Sequence, residues 1–313
     1  MNNIFSTARD DTKGTILLVI ISIYWGITAV LMKNALDYMN SVTYLFLRFL
    51  SASVFLTLIF RRKLKYLNIV TVKRGLIVGL LLTANMELLV LGLNFTSNSN
   101  SVFISNLSVV IVPIILCIRD RRLPEGRLVG CILLIMVGLF FLSGGIDSHI
   151  NIGDAITLGS TIVTSFGILK LEEYCKSEEP LMLGITQIFS ACIFSGIVWG
   201  FSGFDKPVIN MGSASIIFLT GVIGTGIAFI IQVFGQKMTS PVNTALAFIS
   251  ISIFGVIGSA FIPNARGMTE PMTTGKIVGS IVIVMGMAIY VISTYYSEKS
   301  EKSKYTAKTY KAS

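Results

Sequence analysis

Charge is scarce in this chain. Asp, Glu, Lys and Arg make up 13% of the 313 residues, while 53% are hydrophobic; soluble domains carry about a quarter charged residues. That imbalance, with a mean hydropathy of +0.79, excludes a water-soluble domain. A single histidine, His149, falls in a loop, which removes imidazole metal binding and acid–base chemistry from every apolar segment. The four cysteines, Cys117, Cys131, Cys175 and Cys192, form no CxxC pair, so neither a disulfide framework nor a metal site is expected. The sequence holds no Walker motif, Gly-rich nucleotide loop or Ser/His/Asp set, and no cofactor is expected.

Apolar runs are what the chain has in abundance. They fall at 14 to 33, 42 to 60, 75 to 95, 99 to 118, 127 to 143, 153 to 170, 181 to 200, 214 to 235, 241 to 262 and 275 to 296. Each is long enough to cross a hydrocarbon core of about 30 Å as a helix. The expected fold class is an all-α membrane protein of ten spans. The third and fourth runs are divided only by NFTSNSN, and the eighth and ninth by QKMTSP; a tight helical hairpin suits both. The segment after MNNIFSTARDDTKG is too long for a signal-peptide core and reads as a retained first span.

A net charge of +9 would suggest nucleic acid in a soluble protein, but the basic residues lie in loops and the tail, so no nucleic-acid partner is expected. Placing the N-terminus in the cytoplasm puts 20 of the 25 Lys and Arg residues on that side, leaving Lys33, Arg48, Lys206, Arg266 and Lys276. Both termini are then cytoplasmic in a multi-pass plasma-membrane protein. Residues 297–313 are polar and basic and read as a disordered tail.

The chain also repeats itself. Gly14 aligns with Gly153, and without a gap Arg48 falls on Gln187, an offset of 139. Thr96, Ser97, Asn100 and Ser101 fall on Thr239, Ser240, Asn243 and Thr244 at an offset of 143. Arg121-Arg-Leu-Pro124 and Gly130 fall on Glu270-Pro-Met-Thr273 and Gly279 at 149. The copies are residues 14–143 and 153–296, five spans each. An odd number of spans sends the second copy into the membrane from the opposite side, giving the inverted repeat found in secondary transporters.

Trp25-Gly26, Arg48-Phe49, the Thr96–Ser101 hairpin, Pro113, and Glu270-Pro-Met-Thr followed by Gly279 resemble the EamA-type members of the drug/metabolite transporter superfamily. The resemblance runs over residues 14 to 296. It implies a central cavity between the halves, peripheral fifth and tenth helices, and export of small metabolites such as amino acids or amines. Three features depart from the pattern: Arg121 in place of an acidic residue, Val256 in place of a proline, and the long loop 263–273.

Among candidate site residues Glu87 is the only acid deep within a run. A charge there costs about 2.5 to 3.5 kcal/mol on insertion scales, so it must pair, face water or hold a proton. Thr83, Glu87 and Asn94 share one helical face, expected to line the cavity. Two readings of Glu87 stand: it binds a cationic or amine group or a coupling proton, or it is a protonated acid bonded to a neighbouring helix. Asn98, Ser101, Ser105 and Ser108 form a polar stripe on the fourth span, facing either substrate or another helix, with a bend expected at Pro113. Thr157, Thr161 and Thr164 form a similar stripe. Gln232 is a ligand or interhelical glue, and Trp25 lines the cavity or packs in the core. Asn243 and Thr244 are expected to cap the ninth span. Arg48 is expected to snorkel to the interface rather than bind an anion. The partners implied are a small-molecule substrate, the lipid bilayer and a coupling proton; the sequence leaves oligomeric state open. An intramembrane lipid-modifying enzyme and a non-transporting assembly protein are the alternatives. The first lacks the clustered acids, bases or metal ligands such chemistry needs.

Overall fold

A computed structural model describes residues 2–145, 150–202, 207–264 and 267–312, with side chains described between 11 and 294. His149, Lys206 and Arg266 lie outside the described residues. The described chain is helical, with ten helices long and apolar enough to cross a membrane: Asp11–Ala35, Ser41–Phe60, Ile69–Leu93, Asn98–Asp120, Gly126–Ser143, Ile152–Cys175, Pro180–Phe201, Met211–Met238, Pro241–Phe261 and Thr274–Thr294. Both short hairpins are present, so neither pair of runs is fused. The third span starts before its apolar run because Asn68 accepts from the Thr71 amide at 2.8 Å and caps the helix there. The last helix continues to Ala312, through the tail read from sequence as disordered.

Span neighbours repeat when the halves are exchanged. The first span packs on the eighth and ninth, and the sixth on the third and fourth; the second lies beside the eighth, and the seventh beside the third. Second meets seventh, and fifth meets tenth. At two equivalent places, 139 and 143 residues apart, glycines allow close approach: a Cβ on Gly14 would stand 2.6 Å from the Gly235 carbonyl, and one on Gly153 2.7 Å from that of Gly92.

The same exchange recurs in polar contacts at the span ends. Asp154, in a reciprocal cap with Asn151, accepts from the Thr96 hydroxyl and from Asn100 Nδ2 at 3.2 Å. Asp11 accepts from the Thr239 hydroxyl at 2.6 Å and from Asn243 Nδ2 at 3.0 Å. Thr239 and Asn243 are the repeat partners of Thr96 and Asn100. One clasp therefore ties the sixth span to the third–fourth hairpin, and the other ties the first span to the eighth–ninth hairpin. The ninth span is capped by Ser240, whose Oγ accepts from the Asn243 amide at 3.2 Å. Asn243 receives the cap instead of supplying it, and its side chain is taken by Asp11.

Two irregularities depart from expectation. The fourth span breaks at Asn106 and Leu107, between the helices Asn98–Ser105 and Ser108–Asp120, while Pro113 sits inside the second of these. Asn106 stabilises the break by donating to the Val102 carbonyl and Ser252 Oγ, both at 2.7 Å. The eighth span is wound as a π-helix over Phe218–Ile227, a winding with i→i+5 bonds that occurs mostly as single turns at functional sites.

Candidate functional site

A cavity of about 340 Å³ is walled by the first, second, third, sixth, seventh, eighth and ninth spans. That is within the range of small-molecule pockets. The first span supplies Trp25, Thr28, Ala29 and Met32, and the sixth supplies Thr164, Gly167, Ile168 and Leu171. These two sets are 139 residues apart, member for member. Arg48 faces the cavity with Gln187 at the same offset; Met86 and Leu89 do so with Phe229 and Gln232 at 143. Equivalent backbone positions thus carry different chemistry: a guanidinium opposite an amide, an indole opposite a hydroxyl.

The π-wound segment anchors three side chains around this wall. Trp25 Nε1 donates to the Gly224 carbonyl at 2.6 Å, and Tyr24 donates its hydroxyl to the Leu219 carbonyl at 2.8 Å. Arg48 Nε donates to Thr225 Oγ1 at 2.6 Å, and that hydroxyl donates onward to the Thr220 carbonyl at 2.9 Å. With its N–H satisfied, the Trp25 ring packs against Phe229 and Phe248 at centroid distances of 5.0 and 5.8 Å. On the opposite wall Asn85 Oδ1 accepts from Ser160 and Thr164 at 2.7 and 2.6 Å.

Arg48 is 7% exposed and on the cavity wall, which corrects the expectation that it snorkels. Its fixed bond to Thr225 turns it inward. Among the described residues no carboxylate forms an ion pair with it, and it is the only ionisable Asp, Glu, His, Lys or Arg on the wall. Tyr44, one turn before it, is fully buried, and its hydroxyl has no hydrogen-bond partner. Gln187 and Gln232 each have a buried Oε1 without a partner.

Of the residues singled out from sequence, Trp25, Arg48, Thr164 and Gln232 line the cavity. Glu87 does not: the cavity face of the third span is Val78, Leu81, Leu82, Asn85, Met86 and Leu89, and at about 100° per residue Glu87 points away from the middle of that face. Its Oε1 is buried and unpartnered elsewhere. Thr83 shares that other face, bonding to the Gly79 carbonyl at 3.0 Å and approaching that of Ala191 at 3.4 Å, so it packs the third span on the seventh. Asn94 is exposed at the end of the third span, as its C-cap. The fourth span contributes nothing to the wall among the described residues. Ser101 is buried, and Ser105 donates to its carbonyl at 2.6 Å. Thr161 donates to the Ile104 and Thr157 carbonyls at 3.0 and 2.9 Å, a packing role. Tyr44, Asn85 and Gln187 were absent from the sequence-derived set; for Gln187 the repeat offset from Arg48 was the available signal.

Comparison with known proteins agrees with this architecture. Residues 12–144 match the EamA-like transporter family. An "Uncharacterized transporter" of Archaeoglobus fulgidus is 27% identical over 272 residues, 87% of this chain and 83% of that protein. A solved structure, described as the crystal structure of a protein, superposes with a TM-score of 0.72 at 12% identity, over 92% of this chain and 99% of the other; this shows likeness of fold. The chain is thus a multi-pass integral membrane protein whose residues 12–144 match the EamA-like transporter family and which is similar to a transporter over most of its length.

Proposed function

We propose that the protein is a secondary transporter that carries small metabolites out across the plasma membrane, with both termini in the cytoplasm, by alternating access between inverted five-helix halves. The central cavity is its substrate site. The observation carrying this reading is that both halves contribute repeat-equivalent positions to one wall: Trp25 with Thr164, Arg48 with Gln187, Leu89 with Gln232. Two halves with interchangeable contacts can trade conformations around such a site, opening it to either side in turn. Lys and Arg distribution supports the orientation, and the family resemblance supports outward movement. The family resemblance implies amino acids or amines as cargo; Glu87, the candidate group for an amine or a coupling proton, lies off the wall.

Metabolite profiling of cells with and without the protein, followed by counterflow of the responding solutes in proteoliposomes, tests this. A solute that accumulates in cells lacking the protein and moves through the reconstituted protein is expected. The absence of protein-dependent movement of any such solute would refute the transport mechanism.

A further inference from the structure

We infer that the central cavity selects a small organic monoanion, a carboxylate on an apolar body, and that Arg48 with Tyr44 is the element that reads the charge. The inference rests on the cavity being the substrate site. Its basis is a mismatch in the protein's own chemistry. Arg48 is a permanent cation, buried on the wall, and among the described residues no acid pairs with it. Burying an uncompensated charge is expensive, and intramembrane charges ordinarily pair with one another or face water and ligand.

Among the described residues only one bond of the guanidinium is used, from Nε to Thr225. That bond fixes the plane of the group. It leaves the Nη hydrogens to form the paired contacts that suit a carboxylate. The fully buried Tyr44 hydroxyl, one helical turn away and without a partner, is a second donor on the same wall.

The count of charges defines the ligand further. One cation and no acid on the wall balance one negative charge; a phosphate monoester dianion would leave a charge unmatched, and an ammonium would meet repulsion. The remaining surface is chiefly apolar, with Trp25, Phe229, Phe248, Met86 and Leu89. A ligand with an apolar body is therefore favoured over a small hydrophilic anion such as chloride.

The test uses the full chain in nanodiscs of uncharged phosphatidylcholine. Trp199→Phe leaves Trp25 as the only tryptophan, a fluorophore on the cavity wall. Hexanoate, hexanamide, hexylammonium and hexyl phosphate differ in head group on one body. Saturable quenching is expected with hexanoate at least tenfold tighter than with each of the others, and Arg48→Gln is expected to abolish the preference while Arg48→Lys keeps part of it. Equal or tighter binding of any of the other three, no saturable response to hexanoate, or a preference that survives Arg48→Gln would overturn the inference. If Arg48→Gln does not fold, the parent panel and Arg48→Lys decide alone. Hexanoate selectivity without flux of any solute would remove the transport reading and leave this one. Flux of solutes regardless of charge, unchanged by Arg48→Lys, would do the reverse.

Discussion

Replacing Asp154 with alanine should be the costliest single change at either clasp. The side chain is 7% exposed and accepts from Thr96, Asn100 and the Asn151 amide, the last at 3.0 Å. Hydrogen bonds to a charged group contribute about 1.5–3 kcal/mol each when their donors are buried. These donors sit at a span end, where water can replace part of the loss. A first-turn carboxylate adds about 0.3–1 kcal/mol through the helix dipole, and loss of the reciprocal cap costs about 1 kcal/mol. The expected total is about 3 kcal/mol. Equilibrium unfolding in mixed micelles with SDS measures it, and a cycle pairing Asp154→Ala with Thr96→Val should give a coupling of about 1 kcal/mol. A loss below about 0.5 kcal/mol would show that the clasp does not hold the halves together. Strict additivity would show that the Thr96 bond is not what the carboxylate contributes.

Trp25→Phe keeps a ring against Phe229 and Phe248 but removes the donor to the Gly224 carbonyl, and should cost about 1 kcal/mol in the same assay. Glu87→Gln should leave hexanoate affinity within about twofold, since Glu87 lies on the face of the third span turned away from the cavity; a much larger loss would put this carboxyl at the site. Glu270 is 3.4 Å from Lys33 and 3.3 Å from Lys276; burial pushes its carboxyl up, but the two lysines outweigh burial and hold it below the ordinary carboxylate value. Its bridge therefore stabilises the loop above the unfolded-state pKa of about 4.3 and is lost as pH falls through the lower folded value. Because the pair is about half exposed, the contribution is at most about 1 kcal/mol. Glu270→Gln should reduce the stability lost between neutral pH and pH near 3 by up to about 1 kcal/mol, and an unchanged pH dependence would contradict the assignment.

The ten spans and both hairpins were legible because bilayer length and apolarity act locally, residue by residue. Hairpin caps and loop residues then fix where each span stops. The offset of 139 was legible too, and it relates Arg48 to Gln187, both of which stand on the cavity wall. Which face of a helix meets the cavity was not. Periodicity places Thr83, Glu87 and Asn94 together, but it cannot say whether a polar face meets a ligand, a neighbouring helix or the end of the span. Here Thr83 went to helix packing on the seventh span. Arg48 was misread for a related reason: its distance from the span end suggested snorkelling, while a hydroxyl 177 positions away turns it inward. Asp11 and Asp154 escaped the repeat because they sit one helical turn out of register: the gapless offset of 139 sets Asp11 against Ile150. They nonetheless reach equivalent hairpins.

The π-wound part of the eighth span gives the cavity wall a torsional reserve. A helix bonded i→i+5 turns less per residue than one bonded i→i+4, so ten residues wound this way hold back a fraction of a turn. Phe229 and Gln232 follow that segment and Thr220 lies within it. Rewinding it would swing the two cavity residues about the helix axis relative to Thr220. Tyr24, Trp25 and Arg48 all bond to this stretch, which makes the first two spans the brake on that rotation.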